Sequence, residues 1–108
     1  MSFSILATEK FKRQAKQLIK KYVSLKNELQ GLILQLEANP KQGTAIGHEC
    51  YKIRLSISSK GKGKSGGARV ITYVFFADKT VYLLAIYDKS EQDSISDKEL
   101  RELLKDID

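Results

Sequence analysis

The sequence predicts an α+β protein in which helices pack against an antiparallel sheet. Two segments in the first forty residues carry apolar side chains at helical spacing, and a third such pattern ends the chain. Between them lie segments rich in β-branched and aromatic residues, which are typical of strands. A chain of 108 residues is expected to form one domain, here residues 1–108.

The first half of the chain is predicted to form a short strand followed by two helices. Residues 3–6 indicate the strand, and Thr8 is the expected N-cap of the first helix. Apolar residues then recur at helical spacing as far as Tyr22, and a second helix is predicted over residues 24–37. Asn39 precedes a proline, which ends that helix. Because the two helices are nearly adjacent in sequence, they are predicted to form an antiparallel hairpin.

The second half is predicted to form three antiparallel strands and a short helix. Residues 41–48 contain two glycines and are expected to be a loop. The predicted strands cover residues 50–57, 68–76 and 81–87. Ser96 and Glu99 have capping-box spacing, which predicts the start of the final helix. All helices are expected to pack on one face of the sheet.

The positive charge of the chain is concentrated in one segment. The net charge is +6, and six basic residues with no acid lie between residues 51 and 69, so the remainder sums to zero. These six residues are Lys52, Arg54, Lys60, Lys62, Lys64 and Arg69. The first predicted helix also carries lysines, including Lys12 and Lys16, on its polar face. A basic patch of this kind indicates a polyanion as partner.

The composition excludes several classes of site. His48 and Cys50 are the only histidine and cysteine, so an internal disulfide, a histidine triad and an ordinary zinc site are excluded. The glycine- and lysine-rich residues 60–67 lack the spacing of a nucleotide-binding P-loop and join two strands. No run approaches the roughly 18 apolar residues of a membrane helix. We expect a cytoplasmic protein without a metal or other cofactor.

The basic residues permit a ribonuclease that needs neither histidine nor metal. Lys52 and Arg54 share one face of their predicted strand, and Arg69 begins the next strand. Guanidinium groups bind phosphate and stabilise the negative charge of a phosphorane-like transition state. A lysine crowded by cations can accept the proton of a ribose 2′-hydroxyl. Tyr73 and Tyr87 are either platforms for base stacking or ordinary strand residues.

Three segments together resemble the RelE/ParE toxin superfamily. They are Tyr51-Lys-Ile-Arg-Leu, then Gly66-Gly-Ala-Arg-Val-Ile-Thr-Tyr73, then Val81-Tyr-Leu-Leu-Ala-Ile-Tyr-Asp-Lys-Ser-Glu91. The overlapping segment Lys64-Ser-Gly-Gly-Ala-Arg-Val-Ile71 is most similar to the HigB-type branch that is related to RelE. The order of elements also matches over nearly the whole chain. The resemblance implies a RelE-like fold and the toxin of a type II toxin–antitoxin system, which cleaves mRNA in the ribosomal A site by metal-free attack of the 2′-hydroxyl.

The resemblance also assigns roles to residues. Lys52 and Arg54 match the two basic strand positions of the family, with Lys52 as the candidate for proton transfer, and Arg69 matches the arginine that holds the scissile phosphate. RelE carries a further arginine after the last strand and a tyrosine soon after it. Here Lys89 is expected to supply that charge and Tyr87 the aromatic platform. The residues expected to contact RNA are Lys60, Lys62, Lys64, Lys12 and Lys16.

The expected partners are the ribosome, mRNA and a cognate antitoxin with a helix-turn-helix domain, through which alone the protein would contact DNA; no membrane partner is expected. Two alternatives have the same fold. One is a ParE-like inhibitor of DNA gyrase without nuclease activity, and the other is a catalytically inactive RNA-binding relative. The basic cluster favours the nuclease. The lysine face of the first helix is assigned either to the antitoxin or to ribosomal RNA.

Overall fold

The computed structural model describes residues 2–60, 67–92 and 94–107 and confirms the α+β class. Its helices and strands are β1 (Ser4–Ala7), α1 (Glu9–Lys21), α2 (Leu25–Ala38), β2 (Thr44–Gly47), β3 (Cys50–Leu55), β4 (Ala68–Phe75), β5 (Thr80–Asp88) and α3 (Asp97–Leu104). Within the described residues, no helix is long and apolar enough to cross a membrane. Both predicted N-caps are confirmed, because the backbone N–H groups of Phe11 and Glu99 donate to the side chains of Thr8 and Ser96.

The strands form one mixed five-stranded sheet in the order β1-β5-β4-β3-β2. The central pairs β3–β4 and β4–β5 are antiparallel, as predicted. β1 lies at one edge and runs parallel to β5, with Ile5 opposite Val81. The chain between these two strands runs through both helices and the other three strands, so the parallel pair has the long connection that it requires. The sheet is therefore mixed rather than wholly antiparallel.

The expectation that residues 41–48 form a loop was wrong, because β2 lies within this range. β2 pairs antiparallel with β3, and Ala45 stands opposite Tyr51. The hairpin turns at His48 and Glu49, whose φ angles of 56° and 63° are both positive. A two-residue turn with positive φ at both positions follows the twist of the adjoining strands, but it usually contains Asn and Gly. The residues His48 and Glu49 therefore do not predict this turn, and the hairpin was missed.

The helical hairpin packs on one face of the sheet and forms the larger core. α1 contributes Phe11 and Ala15, and α2 contributes four buried leucines at helical spacing. They pack against side chains that alternate along the strands, including Val70, Val74 and Ile86. Burial of this apolar stripe stabilises the hairpin, since each fully buried leucine contributes roughly 1.5–3 kcal/mol.

The expectation that all helices share one face was also wrong, because α3 packs on the opposite face. Its Leu100 and Leu103 cluster with Cys50, Ile71 and Tyr87. Consecutive strand residues point to opposite faces, so Val70 and Ile71 contact different helices. β4 and β5 are accordingly buried on both sides along most of their length.

Candidate functional site

The strand register aligns three of the predicted catalytic residues. Arg54 of β3 lies opposite Arg69 of β4, and Arg69 lies opposite Tyr87 of β5. Directly opposed residues point to the same face, and neighbouring strands lie about 4.8 Å apart. Two guanidinium groups and one phenol thus form a row across three adjacent strands, which we call the Arg69 row.

The other two predicted catalytic residues flank this row. Lys52 lies two positions from Arg54 on β3, on the same face, and stands opposite Ile71. Lys89 follows β5 directly, and its backbone N–H donates to the carbonyl of Gly67 at 3.1 Å. It therefore lies at the same end of the sheet as the row. The structure thus brings Lys52, Arg54, Arg69 and Tyr87 to one face and places the backbone of Lys89 at the same end of the sheet.

Arg69 is a buried cation at the centre of the row. It is 5% exposed, whereas Arg54 is exposed and Lys52 is half-buried. The Nη1 of Arg69 donates to the carbonyl oxygen of Ala68 at 3.3 Å. Across the three described ranges, no carboxylate lies within salt-bridge distance of Arg69, Arg54 or Lys52. A buried cation without a counter-ion is costly, so its position favours the binding of an anion.

The ring of Tyr87 forms the aromatic end of the row. It is 8% exposed and packs in the cluster that α3 contributes to this face. Tyr73 lies four positions from Arg69 along β4, where it stacks beside Phe75 and Tyr82 at centroid distances of 6.3 and 6.0 Å. The structure therefore places Tyr87, and not Tyr73, beside the arginines.

Asp88 points to the opposite face from Tyr87 and is enclosed by donors. It is 1% exposed and accepts hydrogen bonds from Lys60 Nζ at 2.6 Å and from the Tyr22 hydroxyl at 2.8 Å. The backbone N–H and Oγ of Ser90 donate to the same carboxylate. Burial of Asp88 opposes its ionisation, but the hydrogen bonds from Lys60, Ser90 and Tyr22 outweigh burial and hold the pKa of this carboxyl well below its usual range.

This cluster changes the interpretation of Lys60. Its side chain is 11% exposed, and its ammonium group lies 5.6 Å from the centroid of the Tyr22 ring. Lys60 is thus held in an internal ion pair on the side of the sheet that faces α1. Its contact with RNA stays a prediction, which this geometry does not favour. Lys62 and Lys64 lie outside the described residues.

Lys12 and Lys16 lie on the rim of an apolar groove. The groove has a volume of about 470 Å³, and its floor includes Phe11, Ala15 and Ile33. Lys20 and Lys26 complete the basic rim. Lys12 also forms an exposed ion pair with Glu9 at 3.5 Å. These lysines are separate from the Arg69 row, and the groove was not expected from the sequence.

His48, Cys50 and the acidic side chains were compared with the arrangements that metal binding and thiolate chemistry require. No group of three or more His, Cys, Asp or Glu side chains is placed there to hold a metal ion. Burial, together with the nearby Glu49 carboxylate, raises the pKa of the Cys50 thiol to about 12, so the thiolate is not formed at neutral pH. His48 Nε2 lies 2.9 Å from Asp97 on the surface.

Two contacts near the candidate site were missed by the sequence analysis. Asp88 was quoted there only within the segment that resembles the toxin superfamily, although it ends the long apolar pattern of β5. The Gln14 side-chain oxygen accepts from the backbone N–H of Ile86 at 3.1 Å and completes the edge of β5 beyond the end of β1. The signal for Gln14 was its place among the apolar positions of α1, between Phe11 and Leu18.

The Arg69 row has the chemistry of a site for a phosphodiester. Two guanidinium groups bind phosphate oxygens in forked geometry and stabilise added negative charge in the transition state. Lys52 is the titratable group beside them, and Tyr87 offers an aromatic surface. The arrangement can therefore bind a phosphate, stabilise its transition state and exchange a proton near it.

Comparisons with known proteins agree with this fold. The RelE toxin model, described as the toxin of the RelE/RelB toxin–antitoxin system, matches residues 3–107. A mutant of the E. coli toxin RelE in the free state is 18% identical, with a TM-score of 0.63 and coverage of 97% of both chains. The isolated E. coli RelE toxin is 16% identical, with a TM-score of 0.62 and coverage of 98% of this chain and 99% of that chain. The two structures share the fold of this chain, and the family match over nearly its whole length shows that the chain belongs to the RelE toxin family.

Proposed function

We propose that this protein is the toxin of a toxin–antitoxin pair and that it cleaves mRNA in the ribosomal A site without a metal ion. The observation that carries the proposal is the buried guanidinium of Arg69, which has no carboxylate partner in the described structure and lies in one row with Arg54 and Tyr87. A scissile phosphate is the anion that this row fits. The more specific assignment to the HigB-type branch stays a prediction.

The proposed reaction is an attack of the ribose 2′-hydroxyl on the adjacent phosphorus. Lys52, in its neutral form, accepts the proton of the 2′-hydroxyl. Arg69 and Arg54 bind the phosphate oxygens and stabilise the negative charge that develops on them. The bond from phosphorus to the 5′-oxygen breaks, leaving a 2′,3′-cyclic phosphate and a 5′-hydroxyl. In this reaction Lys89 stabilises the charge of the leaving 5′-oxygen until that oxygen takes up a proton from water.

The test is mRNA cleavage in a cell-free translation reaction, with the new RNA ends mapped by primer extension. The wild-type protein should cut at the A-site codon and leave cyclic phosphate ends. Arg69→Ala should lower the cleavage rate at least about 100-fold, as the loss of one charge-stabilising donor does in other enzymes. The matched control is Arg101→Ala, because Arg101 forms only an exposed ion pair with Asp97 on α3.

Two outcomes would contradict the proposal. Uncut mRNA with folded wild-type protein would favour gyrase inhibition or an inactive RNA-binding relative. Cleavage that survives in Arg69→Ala would place the chemistry elsewhere. A gyrase supercoiling assay on the same preparations separates the first alternative from the second.

The family also implies an antitoxin partner, and we propose that it docks in the groove between α1 and α2. An apolar floor does not favour the binding of RNA. An amphipathic segment of the antitoxin buries its apolar side there and places acidic residues against Lys16 and Lys20. Ile33→Asp should weaken the complex with the cognate antitoxin and leave mRNA cleavage intact. Unchanged antitoxin affinity in Ile33→Asp would exclude the groove as the docking surface.

A further inference from the structure

The Asp88 carboxylate joins three parts of the chain at the end of β5. Its Oδ1 accepts hydrogen bonds from Lys60 Nζ at 2.6 Å and from the backbone N–H of Ser90 at 2.9 Å. Its Oδ2 accepts from the hydroxyl of Tyr22, the residue that follows α1, at 2.8 Å. We call these four residues the Asp88 cluster. Because the carboxylate is fully enclosed, its partners lie inside the protein.

One of these hydrogen bonds determines the shape of the backbone at Lys89. An Asp side chain that accepts from the backbone N–H two residues later forms an Asx-turn. Here the turn runs from Asp88 to Ser90, and Lys89 is its middle residue. The hydroxyl of Ser90 strengthens the turn, because it also donates to Asp88 Oδ1, at 2.7 Å. The backbone of Lys89 is thus held between two anchored residues.

A second set of contacts joins this turn to the start of β4. The backbone N–H of Lys89 donates to the carbonyl oxygen of Gly67 at 3.1 Å, and Lys60 Nζ donates to the same oxygen at 3.5 Å. Gly67 lies two residues before Arg69 in the sequence. The Asp88 cluster therefore holds the backbone of Lys89 at a fixed place relative to the strand that carries Arg69.

Stability alone does not account for the burial of this ion pair. The side chains of Lys60 and Asp88 are 11% and 0% exposed. A buried ion pair stabilises a fold little more than apolar residues of the same volume, because desolvation offsets the attraction. Asp88 also points away from the face that bears the arginines. Its route to the candidate site is the turn at Lys89.

We propose that Asp88 is a positioning residue, which holds Lys89 in place to stabilise the leaving 5′-oxygen beside the phosphate bound by Arg69. Asp88 touches no substrate and acts through Lys89, whose charge acts on the oxygen. A displacement of about 1 Å in such an arrangement lowers the rate by as much as about 100-fold. The inference rests on the proposed nuclease function.

The experiment compares two mRNAs that differ only in the atom between the scissile phosphorus and the leaving ribose, which is oxygen in one and sulfur in the other. A thiolate leaves with little need for added charge, because a thiol ionises at about pH 8.5 and water only near about 15.7. Cleavage rates are measured on programmed ribosomes, with the toxin in excess, for the wild type, Asp88→Ala, Asp88→Asn and Lys89→Ala. The matched control is Glu91→Ala, because Glu91 forms only an exposed ion pair with Lys21.

The two mRNAs should respond differently to the variants. Lys89→Ala should slow cleavage of the oxygen-bridged mRNA about 100-fold and of the sulfur-bridged mRNA at most about threefold. Asp88→Ala should give the same pattern, with a loss of at least about tenfold on the oxygen-bridged mRNA. Asn keeps an oxygen that accepts from the Ser90 N–H, so Asp88→Asn should stay within about threefold of the wild type. Glu91→Ala should leave both rates unchanged.

The ratio of the two rates separates positioning from loss of structure, because unfolded protein cleaves neither mRNA and so lowers both rates in proportion. If Asp88→Ala does not fold, the double variant Lys60→Met/Asp88→Ala, which buries no unpaired charge, gives the same ratio. Equal losses on both mRNAs in Asp88→Ala or Lys89→Ala, or a loss in Asp88→Asn as large as in Asp88→Ala, would overturn the positioning role and leave the nuclease in place. Absence of wild-type cleavage on both mRNAs would instead overturn the proposed function, and the positioning role with it.

Discussion

Replacing Lys60 with methionine should destabilise the protein by about 3 kcal/mol, since breaking a buried ion pair from one side costs roughly 3–5 kcal/mol. The Asp88 carboxylate is enclosed, and its bond to Lys60 Nζ measures 2.6 Å. Methionine keeps the apolar stem of the side chain against Tyr22 but leaves the carboxylate charge without a counter-ion. We expect the lower end of the range because Tyr22 and Ser90 still donate to Asp88.

The predicted loss of unfolding free energy can be measured by urea unfolding and by thermal unfolding. At roughly 4 °C or more per kcal/mol for a domain of this size, Tm should fall by about 12 °C. Adding Asp88→Asn to Lys60→Met removes the stranded charge, so the double variant should be more stable than Lys60→Met alone. Urea unfolding followed by circular dichroism at pH 7 gives the free energies of unfolding of the wild type, Lys60→Met, Asp88→Asn and the double variant.

The control is Lys98→Met, an exposed lysine of α3 that should change stability by no more than about 0.5 kcal/mol. A Lys60→Met variant as stable as this control would contradict the cost assigned to the unpaired Asp88 carboxylate. Simple additivity of the effects of Lys60→Met and Asp88→Asn would contradict it too, because two groups that share an ion pair must be coupled.

Three further predictions concern acid, alkali and backbone strain. The pKa of Asp88 is depressed in the folded state, so its stabilisation is present above the unfolded pKa of about 3.9 and is lost as the pH falls below it; urea midpoints between pH 7 and 2 should decline less steeply for Asp88→Asn, and parallel curves would contradict this. The pKa of Cys50 is raised to about 12, so its contribution is present below the unfolded value of about 8.5 and is lost as the pH rises. The Cys50 thiol should therefore react with Ellman's reagent at pH 8.5 in urea but not in the native protein, and rapid native reaction would show that burial does not protect it. Gly67→Ala should destabilise by more than about 1 kcal/mol, because Gly67 has φ of 113° and an added Cβ would lie 2.4 Å from the carbonyl oxygen of Leu55. The control Gly31→Ala in α2 meets nothing within 4 Å and should stabilise by roughly 0.5–1 kcal/mol; equal urea midpoints for the two variants would rule out strain at Gly67.

Local signals predicted the elements whose ends are determined by nearby residues. Thr8 and Ser96 cap helices through bonds to residues three positions away, and such bonds depend on the sequence at that point alone. The side of the sheet on which α3 packs cannot be predicted from the residues of α3 alone. Its apolar stripe shows that it has one buried face, whereas the continuous apolar run of β5 was the available sign that helices cover both faces.

At the candidate site, too, local patterns predicted some residues, and contacts between distant residues were missed. Arg54, Arg69 and Tyr87 were grouped from strand patterns and family resemblance, and the register places them in one row. The pair Lys60–Asp88 joins residues 28 positions apart in the sequence, and no strand pattern links them. Sequence reasoning therefore found the residues that share a strand face and missed the pair that forms across the end of the sheet.

The alternation of side chains at the end of β5 separates two electrostatic environments. Tyr87 points toward the arginines, and the next residue, Asp88, points to the opposite face and neutralises Lys60 there. A shift of the strand by one residue would bring the carboxylate beside Arg69, since a one-residue slip reverses every side chain. The buried cation would then have an internal counter-ion, and a phosphate would have to displace it. The strand register thus stabilises one lysine internally while it leaves Arg69 available to an anion from outside.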